Sequence, residues 1–510
     1  MKKRILFILI PLLLFYGLPI GAVEKEDRSW QDESIYYITI DRFNNSDFSI
    51  DYDVNAEDPE RYHGGDFEGI LVRLDYIKDM GFTTIGLSSI LDNEKDGYHG
   101  YWTQDFYKTE EHFGSIDKFK ELVQEAHKRD MKIIIDLNVN HVGPNHPWLS
   151  ESDKKEWFHP EQDITNENDD KQLETGWVAG LPDLAQENPE VSSYLIDAAK
   201  WWIEETDIDG YRLDAVEHIP VDFWKEFANE IKETKDDFFL LGDVRSDNDA
   251  VIQKYQDAGI DGFFDYGTNG ELRMAFSKPD QPLEQASLST EQNMEKYENP
   301  YFLTRFMDNQ HTQRFTRDTV VLNEHPGPRW KLALTYLYTT PGIPFVYYGS
   351  EIALDGGEEP DNQRQMDFRT DKELVDYITS LAKVRKQYPS LSRGSYELLH
   401  EENGMIVYKR EYNGETTVVA LNNTTKSQSV TLSASELEDD MELRGVLNGD
   451  LVRIDDGNYP IILDRDETEI YLLAEKTGLN IPFVAGTASV VILFIGFLFL
   501  LKRRAKKAND

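Results

Sequence analysis

The chain has 510 residues and is strongly acidic, with 53 Lys and Arg against 95 Asp and Glu and a formal net charge of −42. Such a polyanion repels phosphate backbones, which argues against nucleic-acid binding. The absence of cysteine excludes disulfides, thiolate metal sites and cysteine nucleophiles. With 40% hydrophobic and 12% aromatic residues, the composition indicates a folded body of several domains.

Both ends of the chain carry targeting patterns. Residues 1–22 combine Met1-Lys2-Lys3-Arg4, an apolar run and the small residues Gly21-Ala22, which is the order of a secretory signal peptide, with an uncleaved anchor as the alternative. Residues 481–501 are uncharged, long enough to cross about 30 Å of hydrocarbon, and followed by basic residues. Because positive flanks stay inside, we expect a single-pass cell-membrane protein with an extracellular body and a cytoplasmic C-terminus. A buried core helix is the alternative for 481–501.

Short apolar β-type runs alternate with amphipathic helical patterns between about residues 30 and 350. Repeated strand–helix units predict an α/β fold with a parallel sheet, and eight of them predict a closed barrel. The predicted strands are Ile35–Ile40, Thr83–Leu87, Lys132–Leu137, Gly210–Leu213, Phe238–Leu241, Gly262–Phe264, Tyr301–Phe306 and Ile343–Tyr348.

Two stretches depart from this alternation. The segment after the third strand is long, polar and rich in Trp, which predicts an inserted subdomain. From about Pro389 the pattern changes to short β segments with Asn-Gly and Asp-Gly turns, which predicts an antiparallel β module. The predicted organisation is a signal peptide over 1–22, a barrel over 23–140 and 185–389, an insertion over 141–184, a β module over 390–474, a linker over 475–480, a transmembrane helix over 481–501 and a basic tail over 502–510.

Polar and charged groups follow four of the predicted strands. In α/β barrels the reactive groups collect at the carboxyl ends of the strands, so these groups are expected at one mouth. Helix capping explains a single Asp or Asn well, but it explains four adjacent sets poorly. The sets are Asp136–His141, Gly210–His218, Gly242–Val244 and Phe306–His311.

These motifs resemble those of the α-amylase family of retaining glycoside hydrolases, over roughly Ser29 to Leu473. Four further motifs carry the resemblance: HGGDFEG at 63–69, YHGYW at 98–102, LPDL at 181–184 and GIPFVYYG at 342–349. The resemblance implies a (β/α)8 TIM barrel, an inserted domain B after strand three and a C-terminal antiparallel β-sandwich. It also implies α-glucan substrates such as starch, glycogen and maltooligosaccharides.

The resemblance identifies Asp214 as the nucleophile and Arg212, two residues earlier on the same strand face, as the group that keeps it ionised. Two other catalytic positions depart from the family. The general acid is normally Glu in the family, whereas this chain has Asp243. The family's third catalytic carboxylate is replaced here by His311. A shorter acid matters because misplacement by about 1 Å can cost about a hundredfold in rate. A neutral imidazole can hydrogen-bond a sugar hydroxyl but supplies no negative charge.

The resemblance also assigns substrate-binding positions. These positions are Tyr98, Trp102, His141, Arg212 and Gln310. Two neighbouring positions depart from the family: Glu217 stands where amylases usually carry Lys, and Gln363 stands in the place of an Arg.

Three functions remain open at this point. The first is a working but atypical hydrolase, most similar to α-amylases, with Asp243 as acid/base and His311 orienting the substrate. The second is a catalytically lapsed amylase fold that binds glucan or a protein partner at the surface. The third is an α-glucanotransferase, which would share the covalent intermediate. The intact nucleophile, Arg212 and His141 favour the first.

Calcium binding is the remaining expectation, since Ca²⁺ takes six to eight oxygen ligands. The family's site between the barrel and domain B corresponds to Asn140, Asp183 and the His218 carbonyl. A second site near strand one resembles that of transferase-like members, and a solvated acidic loop is the alternative there. Its ligands would be Asn45, Asp47, Asp51, the Gly64 carbonyl and Asp66.

Overall fold

The computed structural model describes residues 28–246, 248–476, 489–490 and 492–499. The predicted signal peptide and the basic tail lie outside these residues. Of the predicted transmembrane helix, 481–501, only 489–490 and 492–499 are described, and they are helical. Within the described part of the chain, no helix combines the length and the apolar character needed to span a bilayer.

Eight parallel strands form a closed barrel, as predicted. Strand β1 pairs with both β2 and β8, so the sheet closes on itself. Each strand ends within two residues of its predicted bounds. The strands are β1 (Ile35–Ile38), β2 (Thr84–Leu87), β3 (Lys132–Leu137), β4 (Gly210–Leu213), β5 (Phe239–Gly242), β6 (Gly262–Phe264), β7 (Leu303–Arg305) and β8 (Ile343–Tyr347).

Amphipathic helices surround the barrel. Helix Ile116–Lys128 illustrates why they form: the Ser115 side chain caps it by accepting from the Lys118 N–H, and the apolar face that includes Phe119 and Leu122 is buried. The α-helices are Phe67–Leu71, Leu74–Asp79, Ile116–Lys128, Asp170–Thr175, Pro189–Thr206, Val221–Thr234, Asp249–Gln256, Tyr266–Phe276, Glu284–Lys296, Phe315–Val321, Pro326–Thr339, Glu373–Gln387 and Ser390–Arg393.

The insertion after β3 is anchored at its base. An isolated β-bridge joins His141 to Asp183, and another joins Phe158 to Leu184. The N–H of Leu184 also donates to the Asn140 carbonyl at 2.8 Å. These contacts hold the two ends of the insertion beside the barrel mouth. A short antiparallel hairpin, Leu91–Asn93 and Thr103–Thr109, lies between β2 and β3 in the chain.

The C-terminal module is antiparallel, as predicted, and consists of a six-stranded and a two-stranded sheet. Alternating apolar side chains from both sheets, such as Val418 and Ile461, share one buried cluster. The strands are Glu397–Glu402, Met405–Tyr412, Glu415–Asn422, Gln428–Ser433, Met441–Gly445, Leu451–Arg453, Asn458–Leu463 and Thr468–Glu475.

Candidate active site

The carboxyl ends of β3, β4 and β5 lie side by side, and backbone hydrogen bonds continue beyond them. The N–H of Asp214 donates to the Leu137 carbonyl at 3.1 Å, and the N–H of Asp243 donates to the Leu213 carbonyl at 2.9 Å. The parallel register therefore places these two carboxylates on neighbouring strand ends at the mouth of the barrel.

A buried guanidinium, that of Arg212, lies at the centre of this cluster. Its Nη1 is 2.7 Å from Asp136 Oδ2 and 3.5 Å from Asp214 Oδ1, and its Nη2 pairs with Asp243 Oδ2. The Tyr37 hydroxyl donates to Asp136 Oδ2 at 2.6 Å. Attraction to this one cation offsets part of the repulsion among the three buried carboxyl groups, which helps them to lie so close together.

The three predicted catalytic side chains meet at this cluster. A carboxylate oxygen of Asp214, a carboxylate oxygen of Asp243 and a ring nitrogen of His311 all lie within 4.8 Å of one another. His311 Nε2 is 4.0 Å from Asp214 Oδ1 and 3.8 Å from Asp243 Oδ2. Retaining glycosidases hold their two carboxyl groups about 5–5.5 Å apart, whereas inverting enzymes need about 6.5–9.5 Å. The spacing here is of the retaining kind.

Two carboxylates and an imidazole could in principle hold a metal ion. Arg212 already occupies that position, because its Nη2 is 3.4 Å from His311 Nε2 while Nη1 faces Asp214. A cation placed among the same three groups would meet this fixed positive charge at short range. We therefore assign no metal to the cluster.

Burial shapes the protonation of these groups. It raises the pKa of Asp214, an effect that Arg212 counters and the charge of Asp243 reinforces. Burial lowers the pKa of His311 well below its usual range, and the positive charges of Arg245 and Arg212 lower it further. The imidazole is therefore neutral at physiological pH and adds no positive charge to the site.

Comparisons with known proteins agree with this geometry. The family model described as "Alpha amylase, catalytic domain" matches residues 37–380, and the "Alpha-amylase C-terminal domain" model matches residues 394–471. The chain belongs to the α-amylase family. The prediction of an α-amylase-like glycosidase is thereby confirmed.

Two solved amylase structures resemble the chain over nearly all of their length. An α-amylase from Anoxybacillus is 58% identical with a TM-score of 0.88, covering 89% of this chain and 100% of that one. The α-amylase of Geobacillus thermoleovorans, complexed with acarbose, is 53% identical with a TM-score of 0.86, covering 88% and 100%. A β/α-amylase of Paenibacillus polymyxa is 33% identical over 90% of this chain, which spans only 39% of that protein.

Gln310 and Tyr101 complete the inner wall of the amylase site. With its amide oxygen toward Arg212, Gln310 accepts from Nη1 at 3.0 Å and from Nη2 at 2.6 Å. Gln310 is buried and therefore positions the guanidinium, a role that the sequence did not suggest. The Tyr101 hydroxyl is 3.4 Å from His311 Nε2. Tyr101 lies between Tyr98 and Trp102 in the motif, and nothing in the sequence singles it out.

The other predicted substrate-binding residues differ in their burial and contacts. Tyr98 is buried, and the Arg42 guanidinium lies 3.9 Å from the centre of its ring. Trp102 is half-buried and meets His99 edge-on at 4.9 Å, so part of its surface is accessible. His141 is buried, and its Nε2 has no hydrogen-bond partner among the described residues. Burial lowers the pKa of His141 to about 3, so the imidazole is neutral.

The two departures near the site make contacts of their own. Glu217 Oε1 accepts from the Arg245 N–H at 3.1 Å, and burial raises the pKa of Glu217 to about 7. The Gln363 amide lies 3.2 Å from Glu359 Oε1 and 3.3 Å from the Gln310 carbonyl. Gln363 thus faces an acidic side chain but carries no positive charge to pair with it.

The first predicted calcium site fits a cation. The Asn140 and Asp183 side chains are buried, and Oδ1 of each has no hydrogen-bond partner among the described residues. Burial raises the pKa of Asp183 to about 7, while its other oxygen accepts from His159 Nδ1 at 2.6 Å. His218 lies close to His141: its charge is the second cause, after burial, of the lowered pKa of His141. Two orphaned oxygens at the base of the insertion are what a calcium ion would use.

The second predicted site is only partly assembled. Asn45 donates to Asp51 Oδ2 at 2.9 Å, and both side chains crowd the Cα of Gly64, where a Cβ would lie 2.3 Å from Asn45 Nδ2. Asp66 instead caps helix Phe67–Leu71 and accepts from two backbone N–H groups, and Asp47 accepts from Ser49. The side chains of these predicted ligands are therefore hydrogen-bonded within the protein, although Asn45 Oδ1 is buried and has no partner in the described part of the chain.

Proposed function

We propose that this protein hydrolyses α-glucans by a retaining mechanism in which Asp214 is the nucleophile. The proposal rests on how close three side chains lie: one side-chain atom from each of Asp214, Asp243 and His311 is within 4.8 Å of the other two. That spacing leaves room for a sugar carbon between two carboxyl groups but not for an intervening water. Arg212, 3.5 Å from Asp214, favours the ionised form that attacks the anomeric carbon.

Asp243 is the acid/base in this mechanism. In the first step it gives a proton to the glycosidic oxygen while Asp214 forms a bond to the anomeric carbon and the glycosidic bond breaks. In the second step Asp243 takes a proton from water, whose oxygen displaces Asp214 and releases the sugar with retained configuration. Asp243 is only 1% exposed and paired with Arg212, so we expect proton donation to be slower than from a longer side chain.

His311 orients the sugar. Its imidazole is neutral because burial lowers its pKa, and a neutral ring can hydrogen-bond a sugar hydroxyl at the reacting position. It supplies none of the negative charge that a carboxylate would offer an oxocarbenium-like transition state. We therefore expect a working but slow enzyme, and product analysis distinguishes hydrolysis from transfer to a second sugar.

The proposal also includes a bound calcium ion and a location at the cell surface. Asn140 and Asp183 would hold Ca²⁺ beside the cleft, where it would fix the insertion against the barrel. Residues 481–501 would anchor the chain, with the body outside the cell. The large apolar side chains of the described helical residues 490, 492–495 and 497–499 are exposed, which supports an apolar environment there. Removing 481–510 should shift the protein from the membrane fraction to the medium.

Trapping of the intermediate tests the mechanism. A fluorinated glucosyl fluoride with a good leaving group should add one sugar mass to a peptide containing Asp214, and Asp214→Asn should abolish the adduct. Starch should release reducing sugar in the native protein and not in this variant. If no adduct forms while maltooligosaccharide binding persists in both proteins, the lapsed, glucan-binding alternative is correct instead.

A further inference from the structure

A cavity of about 120 Å³ lies at the end of the barrel opposite the active site. Arg28 marks its position, since its guanidinium donates to the carbonyls of Thr83 at 2.9 Å and Asp130 at 3.1 Å. Thr83 and Asp130 precede β2 and β3, so the cavity opens at the amino ends of the strands. Tyr412 of the C-terminal sheet also lines it, which places the cavity where the barrel meets that sheet.

Basic side chains outnumber acidic ones in the lining of this cavity. Four of them, against two acidic ones, face it in a chain where acidic residues outnumber basic ones by 95 to 53. The basic residues are Arg28, Arg385, Lys386 and Arg393, and the acidic ones are Asp32 and Asp130. The acidic residues are already paired: Asp130 with Arg28 at 2.9 Å, and Asp32 with Arg393 Nε at 2.9 Å.

Two of the four cations have no carboxylate partner among the residues that the structure describes. Arg385 is buried and bonds only to carbonyl groups, such as those of Tyr338 at 2.8 Å and Gly342 at 2.8 Å. Burial lowers the pKa of Arg385 to about 10, and the charge of Asp32 opposes this effect only in part. Lys386 is exposed at the rim and forms no ion pair within the described segments.

Further groups at the same place are suited to an anion. The Tyr338 hydroxyl is buried without a hydrogen-bond partner in the described structure. Behind the cavity, the buried Arg410 shares the Leu391 carbonyl with Arg385, at 2.9 Å and 3.0 Å. Burial, and then the charge of Arg385, lowers the pKa of Arg410 to about 9. Two buried guanidinium groups therefore share one carbonyl at this junction, and neither has a carboxylate partner among the described residues.

We propose that this cavity binds a small tetrahedral oxyanion, with inorganic phosphate as the representative ligand. Lys386 would donate directly from the rim, Arg385 would supply charge from the wall, and the Tyr338 hydroxyl would turn to the anion. Charged donors of this kind form the strong hydrogen bonds that phosphate favours. The cavity exceeds the roughly 30 Å³ that one water molecule takes in the liquid. The bound anion would join the amino ends of the barrel to the C-terminal sheet.

Calorimetric titration of phosphate into the full-length protein, at constant ionic strength, tests the site. We expect saturable one-to-one binding that sulfate competes with and chloride does not. Lys386→Gln should weaken it by about tenfold or more, because one charged hydrogen bond is lost. The matched control is Lys383→Gln, an exposed residue of the same helix that does not line the cavity, which should leave binding unchanged.

A second variant keeps the test informative if Lys386→Gln does not fold. Tyr338→Phe removes a hydroxyl that has no hydrogen-bond partner among the described residues, so the melting temperature without phosphate should hold while phosphate binding weakens. The absence of saturable heat in the native protein overturns the proposal. Equal weakening by Lys383→Gln and Lys386→Gln also overturns it, since that result means general charge attraction. Starch hydrolysis should not respond to either lysine variant.

Discussion

Arg212 and Asp243 form the closest ion pair of the active-site cluster, closer than the 3.5 Å between Arg212 and Asp214. In the family, the arginine serves the nucleophile and a longer glutamate stands at the position of Asp243. The pairing holds the Asp243 carboxyl against the guanidinium, where the residue is only 1% exposed. With one methylene fewer than glutamate, this side chain also has a shorter reach.

Asp243→Glu should raise turnover. The longer side chain would extend the carboxyl group away from Arg212 toward the glycosidic oxygen, and correcting a misplacement of about 1 Å is worth up to about a hundredfold. Reducing-sugar release from maltooligosaccharides measures the effect. Asp243→Asn is the matched control and should lose activity. A glutamate variant slower than the native protein would show that the site has adapted to aspartate.

Much of this site follows from the sequence because parallel strands end at one edge. The apolar runs predicted all eight strands, and the polar sets after them predicted that Asp214, Asp243 and His311 meet. The sequence does not predict contacts that depend on the direction of a side chain. Tyr101 meets His311 across 210 positions of the chain, and nothing in the local pattern separates Tyr101 from Tyr98. Rotamers, not spacing, decide such pairs.

Arg212→Met should destabilise the protein strongly. The change leaves Asp136 and Asp243 buried without their cation, and breaking a buried pair in this way costs about 3–5 kcal/mol. Urea unfolding measures the free energy. The matched control is Arg61→Met, which breaks the partly exposed pair with Asp96 and should cost about 1 kcal/mol or less. Similar losses in the two variants would contradict a special role for the buried cluster.

The pH dependence of kcat/KM should have an acid limb set by Asp214. The nucleophile must be ionised, and burial raises its pKa, so activity should fall as pH decreases through a value above the usual 3.9 or so. His311 stays neutral because burial lowers its pKa, and it should add no transition between pH 5 and 8. The profile of His311→Asn should therefore keep the same acid limb. A transition near neutral pH that disappears in this variant would mean that the imidazole titrates.

Calcium removal should lower the melting temperature by several degrees. The orphaned oxygens of Asn140 and Asp183 lose their cation on chelation, and a ligand that binds only the folded state stabilises it by mass action. Differential scanning calorimetry with and without chelator measures the shift. Asp183→Asn should have the same melting temperature with and without chelator. The matched control is Asp163→Asn, an exposed change in the same insertion, whose melting temperature should fall on chelation as that of the native protein does. A native protein that melts identically with and without chelator would count against the site.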